Sequence, residues 1–251
     1  MFSLRGLLCR LLHTASFNEK SVFKAPILFF TFGCEFLKKC YIFGSVETNN
    51  FYDIINEEDF VIAADGGLTY TKKFNLKPDL IVGDFDSLDH VPKGENVIRH
   101  PEIKDETDTI LAIDSAIKKG YENFVIYGCL GGRLDHTFAS IQTAAYITEN
   151  GGNVVFKSDE YFMTIIKNNS ISFSKENEGY VSVFSYTEKA TGVTEKGLFY
   201  ELENAQLTAS YPLGVSNRFI GKESLISVQN GKLCIIWNGT KGIYYFGGKN
   251  E

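Results

Sequence analysis

The sequence lacks the features that mark several common protein classes. Its five cysteines form no C-x-x-C pair and have no histidine at zinc spacing, which favours reduced thiols over disulfides or a metal knuckle. With 25 basic residues against 31 acidic ones, the net charge is −6, so we expect no nucleic-acid partner. The longest apolar run, residues 25–32, is far shorter than the roughly 18–20 residues of a membrane-spanning helix, so we expect no membrane span.

Two nucleotide-binding fingerprints are also missing. The chain contains no G-x-x-x-x-G-K-[ST] segment, so any nucleotide would be bound without a P-loop lysine. No G-x-G-x-x-G follows the first predicted strand, which argues against a dinucleotide-dependent dehydrogenase. The 251 residues are 44% hydrophobic and 22% charged, which is enough apolar material for one large domain or two small ones.

The first 38 residues differ from the rest of the chain. In residues 1–20 three basic side chains accompany the single acid Glu19, and leucines recur at helical spacing. This composition resembles a mitochondrial transit peptide, and a weakly packed extension is the alternative. We expect a cytoplasmic protein, with mitochondrial targeting by residues 1–20 as the second possibility, and we place the functional chain from residue 39 onwards.

Short apolar runs alternate with helical patterns in the first half of the chain. The five predicted strands cover residues 40–44, 60–64, 79–83, 123–128 and 153–158. Because these runs are continuously apolar, the strands are expected to be buried on both faces. The clearest predicted helix covers residues 107–119 and ends at Gly120. This alternation favours a mostly parallel sheet with helices on both faces, which binds ligands at the carboxyl ends of its strands.

The second half is predicted to contain strands separated only by turns. Its clearest candidate strands cover residues 161–167, 180–186, 224–229 and 232–237. The Asn230-Gly231 dipeptide between the last two predicts a tight hairpin. The predicted architecture is therefore α/β. An extension (1–38) precedes a three-layer parallel-sheet domain (39–158), and an antiparallel β-sandwich domain (159–251) follows.

Acidic residues gather at one edge of the predicted sheet. Each follows a strand or begins a helix: Asp65, Asp84, Asp86, Asp105, Asp108 and Asp135. In an extended chain the side chains of Asp84 and Asp86 would project to the same side, roughly 6.5–7 Å apart, and could flank one cation. A single aspartate of this kind is more often a turn or cap residue, but the whole set predicts a Mg²⁺ site.

Glycines near these acids predict a phosphate site. Gly66-Gly67 and Gly131-Gly132-Arg133 allow backbone N–H groups to approach an anion, and the Arg133 guanidinium can bind phosphate with two hydrogen bonds. Each motif alone is equally typical of a tight turn. Carboxylates for Mg²⁺ together with donors for phosphates favour phosphoryl-type transfer.

These segments together resemble those of the thiamine pyrophosphokinase family. The likeness rests on ADGG (64–67), PDLIVGDFDSL (78–88), KDETDT (104–109), GGRLDH (131–136) and VSNRF (215–219). It implies a Rossmann-like α/β domain followed by a β-sandwich, in a homodimer whose active sites lie between the α/β domain of one subunit and the sandwich of the other. It also implies the reaction, in which the diphosphate of ATP is transferred to the hydroxyl of thiamine and AMP is left.

The resemblance also implies roles for individual positions. The catalytic residues would be Asp65, Asp84, Asp86 and Asp108. Of these, Asp84, Asp86 and Asp108 would bind Mg²⁺, and either Asp65 or Asp108 would accept the proton of the alcohol. ATP and its phosphates would contact Gly66, Lys104, Thr107, Gly132, Arg133 and Asp135. Thiamine would contact Tyr200, Ser216 and Asn217, with Tyr200 standing where some relatives have tryptophan; an ordinary strand aromatic is the equal alternative for Tyr200.

Two other side chains have structural roles in this interpretation. Trp237 is expected in the core, and His136 is expected to be a satisfied polar residue at a helix start. Three alternative functions are a diphosphokinase for a pterin alcohol, a D-x-D nucleotide-sugar transferase and a non-catalytic interaction module. The VSNRF segment and the sandwich favour thiamine over a pterin. The other two alternatives leave most of the motifs unused.

Overall fold

A ten-stranded sheet runs through both halves of the protein. The computed structural model describes residues 38–85, 94–99, 108–238 and 242–247, which contain three helices and fifteen strands. Apart from Lys38, the predicted N-terminal extension lies outside the described residues. None of the helices in these ranges combines the length and the apolar character that crossing a bilayer requires.

The first half consists of parallel strands connected largely by helices. Its strands are β1 (Lys39–Phe43), β2 (Phe60–Ala64), β3 (Leu80–Gly83), β4 (Val97–Arg99), β5 (Asn123–Tyr127) and β6 (Asn153–Lys157). Its helices are α1 (Gly67–Lys73), α2 (Asp108–Lys118) and α3 (Leu134–Glu149). Apart from β4, in which Ile98 and Arg99 are exposed, the strands are almost wholly buried, as their continuous apolar sequences predicted.

In the second half, the described residues 159–238 and 242–247 contain strands and no helix. They are β7 (Tyr161–Lys167), β8 (Ser170–Phe173), β9 (Tyr180–Ser185), β10 (Lys189–Lys196), β11 (Leu202–Thr208), β12 (Gly214–Arg218), β13 (Ser224–Ser227), β14 (Lys232–Asn238) and β15 (Tyr244–Phe246). One sheet has the order β12-β9-β14-β7-β6-β5-β1-β2-β3-β4, and the other has the order β11-β10-β13-β8-β15. The predicted α/β part followed by an antiparallel part is confirmed, whereas the domain boundary at residue 158 stays a prediction.

The two faces of the long sheet are covered differently. On one face the parallel strands pack against α2 and α3 through residues such as Ile42, Ile126 and Ile113. On the other face α1 and residues 51–55 cover β1 and β5, and the second sheet covers β7, β9 and β14. Trp237 lies in this sandwich core with 1% of its surface exposed, as predicted.

The predicted hairpin at Asn230-Gly231 is wrong. Strand β13 pairs with β8 and β10, whereas β14 pairs with β7 and β9 in the other sheet. The Asn230 N–H donates to the Thr191 carbonyl (3.1 Å), and the Gly231 backbone passes close to Ala190. The dipeptide therefore carries the chain between sheets, because burying both strands in the sandwich outweighs the local preference for a hairpin.

Candidate active site

The carboxyl ends of β1 and β5 border a crevice because their connections leave in opposite directions. Strand β1 leads to β2 on one side, and β5 leads through α3 to β6 on the other. Beyond the strands, the Gly44 N–H donates to the Tyr127 carbonyl and the Val46 N–H to the Gly128 carbonyl, both at 2.8 Å. In open parallel sheets, ligands bind at such a switch point.

Two glycines allow these strand ends to touch backbone to backbone. A Cβ atom on Gly44 would lie 2.6 Å from the Gly128 carbonyl oxygen, and one on Gly128 would lie 2.5 Å from the Gly44 carbonyl oxygen. Gly128 also has a φ of 67°, in the left-handed region. Only glycine fits this approach without displacing backbone.

Asp65 lies at the carboxyl end of β2, beside the end of β3. Its N–H donates to the Val82 carbonyl (2.8 Å), and its carboxylate lies so close to Gly83 that a Cβ there would collide with Oδ1. Its φ of 49° is in the left-handed region. The structure thus brings Asp65 next to the start of the Asp84 segment, as the sequence predicted for this edge of the sheet.

The chain turns sharply directly after Asp84. Phe85 is 2% exposed and has a φ of 63°, so the chain is not extended at this residue, and the predicted same-side projection of Asp84 and Asp86 stays a prediction. Burial of the Phe85 ring fixes this turn. Asp86 lies outside the described residues. Left-handed backbone in non-glycine residues costs about 1–3 kcal/mol each and clusters at functional sites, which fits both Asp65 and Phe85.

Asp108 begins α2, and its neighbour connects that helix to the crevice. Asp108 is half-buried in the first turn, and Thr109 makes a hydrogen bond with the Cys129 sulfur, which adjoins Gly44. Lys104, Asp105 and Thr107 lie outside the described residues. Within the described ranges, no three Asp, Glu, His or Cys side chains are grouped closely enough to hold a metal ion.

The glycine loop after β5 has the predicted backbone character. Gly131 and Gly132 have φ values of 87° and 65°. Arg133 donates to Asp135 through Nε (3.1 Å) and Nη2 (2.6 Å), and this pairing holds the pKa of Asp135 below its usual value. Both side chains are exposed, and His136 is also exposed in the first turn of α3. The guanidinium predicted to bind phosphate is therefore paired with a neighbouring carboxylate.

The sequence prediction missed the loop that follows β1. Here we call residues 44–53 the β1 loop. Its Ser45 hydroxyl accepts the Gly66 N–H (3.1 Å), and Val46 lies beside Gly132, so the loop separates the β2 and β5 loops in the middle of the crevice. It carries no paired acids or paired glycines. Its position directly after a predicted central strand was the available signal.

The predicted thiamine residues lie far from the acids, around the turn between β10 and β11. Phe199 and Tyr200 pack edge to face with ring centroids 4.8 Å apart, and they are 51% and 63% exposed. The Arg218 guanidinium lies 4.2 Å from the Phe199 ring centroid. We call residues 197–201 the aromatic turn. Phe199 was not among the residues predicted from the sequence to contact thiamine.

Asn217 holds the aromatic turn from inside the protein. It is 4% exposed; its Oδ1 accepts the Tyr200 N–H (2.9 Å), and its Nδ2 donates to the Tyr200 carbonyl (2.7 Å) and to Glu195 Oε2 (2.8 Å). Its side-chain hydrogen bonds are thus made within the protein, and the predicted contact of Asn217 with thiamine stays a prediction. Ser216 is exposed beside it, with a φ of 60°.

Glu195 is a buried carboxyl at the base of this arrangement. It is 1% exposed, and burial raises its pKa from the usual 4.5 to about 7, although the Asn217 hydrogen bond opposes this shift. Among the described residues, its Oε1 has no hydrogen-bond partner. Between pH 4.5 and 7 the folded state retains a proton that the unfolded state has lost, so this group makes folding less favourable as the pH rises.

Glu195→Gln should therefore increase stability at high pH. At pH 8 we expect a gain on the order of 2 kcal/mol in the free energy of unfolding, and less than about 0.5 kcal/mol at pH 4.5, where the wild-type carboxyl is protonated in the folded state and half protonated in the unfolded state. Urea unfolding at the two pH values measures this difference. The exposed Glu203→Gln is the control and should change neither value. Parallel stability–pH curves for wild type and Glu195→Gln would contradict the assignment.

Comparison with known proteins identifies similar sequences and folds. The family model described as thiamin pyrophosphokinase, catalytic domain, matches residues 51–156, and the thiamin pyrophosphokinase vitamin B1 binding domain matches residues 168–234. Together the matches cover more than half of the chain. The thiamine pyrophosphokinase of Bacillus subtilis is 26% identical over 188 residues, which are 72% of this chain and 88% of that protein. Thiamin pyrophosphokinase 1 of Caenorhabditis elegans is 24% identical over 184 residues, 68% and 75% of the two chains.

Solved structures share the fold at lower sequence identity. The crystal structure of thiamine pyrophosphokinase from Bacillus subtilis aligns with a TM-score of 0.71 and 23% identity, over 80% of this chain and 99% of that one. Thiamin pyrophosphokinase from Candida albicans aligns with a TM-score of 0.65 and 16% identity, over 80% and 90% of the two chains.

Proposed function

The chain belongs to the thiamin pyrophosphokinase family, and we propose that it transfers the diphosphate of ATP to thiamine in the crevice at the carboxyl ends of β1, β2, β3 and β5. The products are thiamine diphosphate and AMP. One observation carries this proposal: the Asp84 segment begins beside Asp65, and Gly66, which follows Asp65, contacts the same β1 loop as Gly132 of the glycine loop after β5. Carboxylates beside closely approachable backbone N–H groups suit a nucleotide triphosphate with its counter-ion.

The spacing of the two halves of the site supports a homodimer. Asp65 follows β2, whereas the aromatic turn is bound through Asn217 to β12, seven strands away in the same sheet. At about 4.8 Å per strand, the separation is on the order of 30 Å. The thiamine oxygen must come within roughly 3–3.5 Å of phosphorus to react. A complete site therefore needs the crevice of one chain and the aromatic turn of another.

The surface around the aromatic turn suits such an interface. Large apolar side chains in this region are between 45% and 67% exposed: Tyr180, Phe199, Tyr200, Tyr211, Leu213 and Val215. Contiguous apolar exposure of this kind marks surfaces that are covered by a partner. In the dimer, the aromatic turn of one subunit would face the crevice of its partner.

The chemistry requires one in-line displacement. The thiamine hydroxyl oxygen attacks the β-phosphorus, the bond from this phosphorus to the oxygen of the α-phosphate breaks, and AMP leaves. Asp65 or Asp108 accepts the hydroxyl proton. Backbone N–H groups of the Gly66 and Gly132 loops bind phosphate oxygens, and Arg133 exchanges its Asp135 partner for phosphate.

The donor set fits a magnesium ion. Asp84, Asp86 and Asp108 would hold it, and when bound it offsets charge on the phosphate oxygens. Carboxylate oxygens are the ligands Mg²⁺ prefers, and one or two of them are sufficient when phosphates and water complete the shell. A compact group of three acidic side chains is therefore not required. Lys104 and Thr107 would bind phosphate alongside.

Measurement of AMP release from Mg-ATP with and without thiamine tests the reaction. We expect AMP that depends on thiamine, with an equal amount of thiamine diphosphate. Turnover with a hydroxymethyl-pterin but not with thiamine would overturn the substrate. Failure with both alcohols would overturn the proposed reaction.

Subunit complementation tests the shared site. Asp84→Asn and Tyr200→Ala chains, each impaired alone at low thiamine concentration, should regain about a quarter of the wild-type sites when they are mixed as unfolded chains and refolded, because half the dimers are mixed and each has one intact site. A mixture of Asp84→Asn with Asp108→Asn is the control and should recover nothing. Equal activity in both mixtures would place the whole site within one chain.

The cysteines support a reducing compartment. Cys40, Cys129 and Cys234 are free thiols in the described part of the chain, which favours the cytoplasm. Targeting to mitochondria by residues 1–20 stays the alternative, and those residues lie outside the described ranges.

A further inference from the structure

A buried ion pair lies beneath the β1 loop. Lys157, at the carboxyl end of β6, is 5% exposed and donates to both carboxylate oxygens of Asp53 (2.9 and 2.8 Å). The Tyr127 hydroxyl donates to Asp53 Oδ2 (2.5 Å) and accepts the Tyr52 N–H (3.2 Å). Burial lowers the pKa of Lys157, and Asp53 opposes this shift. The pair is thus a satisfied charged cluster on the face of the sheet opposite α2 and α3.

Stability alone does not account for such a pair. Removing two charges from water costs several kcal/mol each, and apolar residues of similar volume are often at least as stabilising. A buried pair does, however, restrict geometry, because a displaced partner leaves an uncompensated charge. Here the Asp53 carboxylate has one well-defined place, set by Lys157 and Tyr127 at the ends of two adjacent parallel strands.

The remainder of the β1 loop is held by further charged groups at the same edge. The Asp159 carboxylate accepts the N–H groups of Asn49 (2.9 Å) and Asn50 (3.0 Å). The Lys73 ammonium donates to the Thr48 carbonyl (3.1 Å) and to Asn49 Oδ1 (2.7 Å). The loop contains no helix or strand, so these contacts determine its path.

We propose that Asp53 and Lys157 are positioning residues for the transfer reaction: their buried pair fixes the β1 loop so that Ser45 stays against Gly66 beside the acids. This inference rests on the proposed function. Asp53 is the last residue of the β1 loop and Ser45 is near its start, so the pair acts through the backbone of residues 44–53. Displacement of a positioned group by about 1 Å can cost roughly a hundredfold in rate.

The test replaces the pair by apolar residues in the full-length chain, as Asp53→Leu with Lys157→Met. This double variant leaves no unpaired buried charge, so we expect it to fold and to dimerise. We expect kcat/KM for Mg-ATP to fall about 10- to 100-fold. The KM for thiamine should not change, because the aromatic turn is held by Asn217 and Glu195, which the substitutions leave in place. The control is Glu149→Leu with Lys167→Met and Lys232→Met, which removes the ion pairs that join α3 to β7 and β14 and should keep wild-type kinetics.

Hydrogen exchange gives a second readout that does not depend on activity. In the double variant the amides of Val46, Asn49 and Asn50 should exchange at least tenfold faster, while those of β2 and β3 keep their protection. If the double variant kept wild-type exchange in the β1 loop, or wild-type kcat/KM for Mg-ATP, the proposal would be overturned. An equal change in the KM for thiamine and the KM for Mg-ATP would also overturn it. If wild type itself makes no thiamine-dependent AMP, the proposed function fails, and the proposed positioning role fails with it even if the exchange result shows that the pair fixes the loop.

Discussion

Replacement of Asp84 by asparagine should lower kcat by at least about 100-fold while the protein stays folded. Asp84 directly follows β3 beside Asp65, and the substitution removes a negative charge from the proposed Mg²⁺ shell without changing side-chain volume. Steady-state AMP release at saturating ATP, measured over a range of Mg²⁺ concentrations, gives kcat and the metal requirement. Circular dichroism and the Tm report the fold.

A matched control lies at the other end of the same strand. Asp79 precedes β3, and its carboxylate accepts the Val61 N–H (2.9 Å), which an asparagine side-chain oxygen can also accept. Asp79→Asn should therefore keep the wild-type kcat. Near-normal turnover in Asp84→Asn would remove this residue from the catalytic set. Similar losses in both variants would indicate damage to β3 instead.

Gly128→Ala should destabilise the protein by about 3 kcal/mol, the sum of left-handed strain and of overpacking against backbone. Its new Cβ would lie 2.5 Å from the Gly44 carbonyl oxygen. The atoms it would meet belong to the backbone, which cannot move aside as the end of a flexible side chain could. Because both strand ends border the crevice, activity should also fall. Equilibrium unfolding in urea measures the cost.

Gly131 is the matched control three residues further along the same loop. Its φ is 87°, but a Cβ there would have no atom within 4 Å. Gly131→Ala should cost only about 1 kcal/mol, from backbone strain alone. Equal costs for the two alanine variants would contradict the close backbone approach at Gly128.

Most of the fold could be predicted from local sequence. Strands β2 and β7 match their predicted bounds, and α2 lies within one residue of its prediction at each end. These elements were predictable because burial on both faces requires a continuous apolar run, and an amphipathic helix requires a fixed spacing. The placement of Asp65 and Asp84 followed from the same logic, since parallel strands end at one edge of the sheet.

The failures arise where distant contacts determine geometry. Asn230-Gly231 has the local chemistry of a hairpin, but the partners of its flanking strands are far away in sequence. The left-handed backbone at Phe85 depends on burial of its ring, and the hydrogen bond of Asn217 to Glu195, 22 residues earlier, is a contact that no local pattern indicates. The β1 loop has no regular pattern at all, because side chains from α1, β5, β6 and the turn after β6 define its path.

Hydrogen bonding continues without a break from β12 to β4, so the ten strands form one continuous sheet. Strand β6 pairs with β5 on one side and with β7 on the other, so the sheet is not interrupted between its parallel and antiparallel parts. We therefore expect no hinge closure within one subunit, and in the proposed dimer the two substrates would meet where two such sheets come together. If the chain were divided between β6 and β7 and the fragments separated, each fragment would have an unpaired strand edge, which promotes aggregation. Each half therefore covers a strand edge that the other half would otherwise expose.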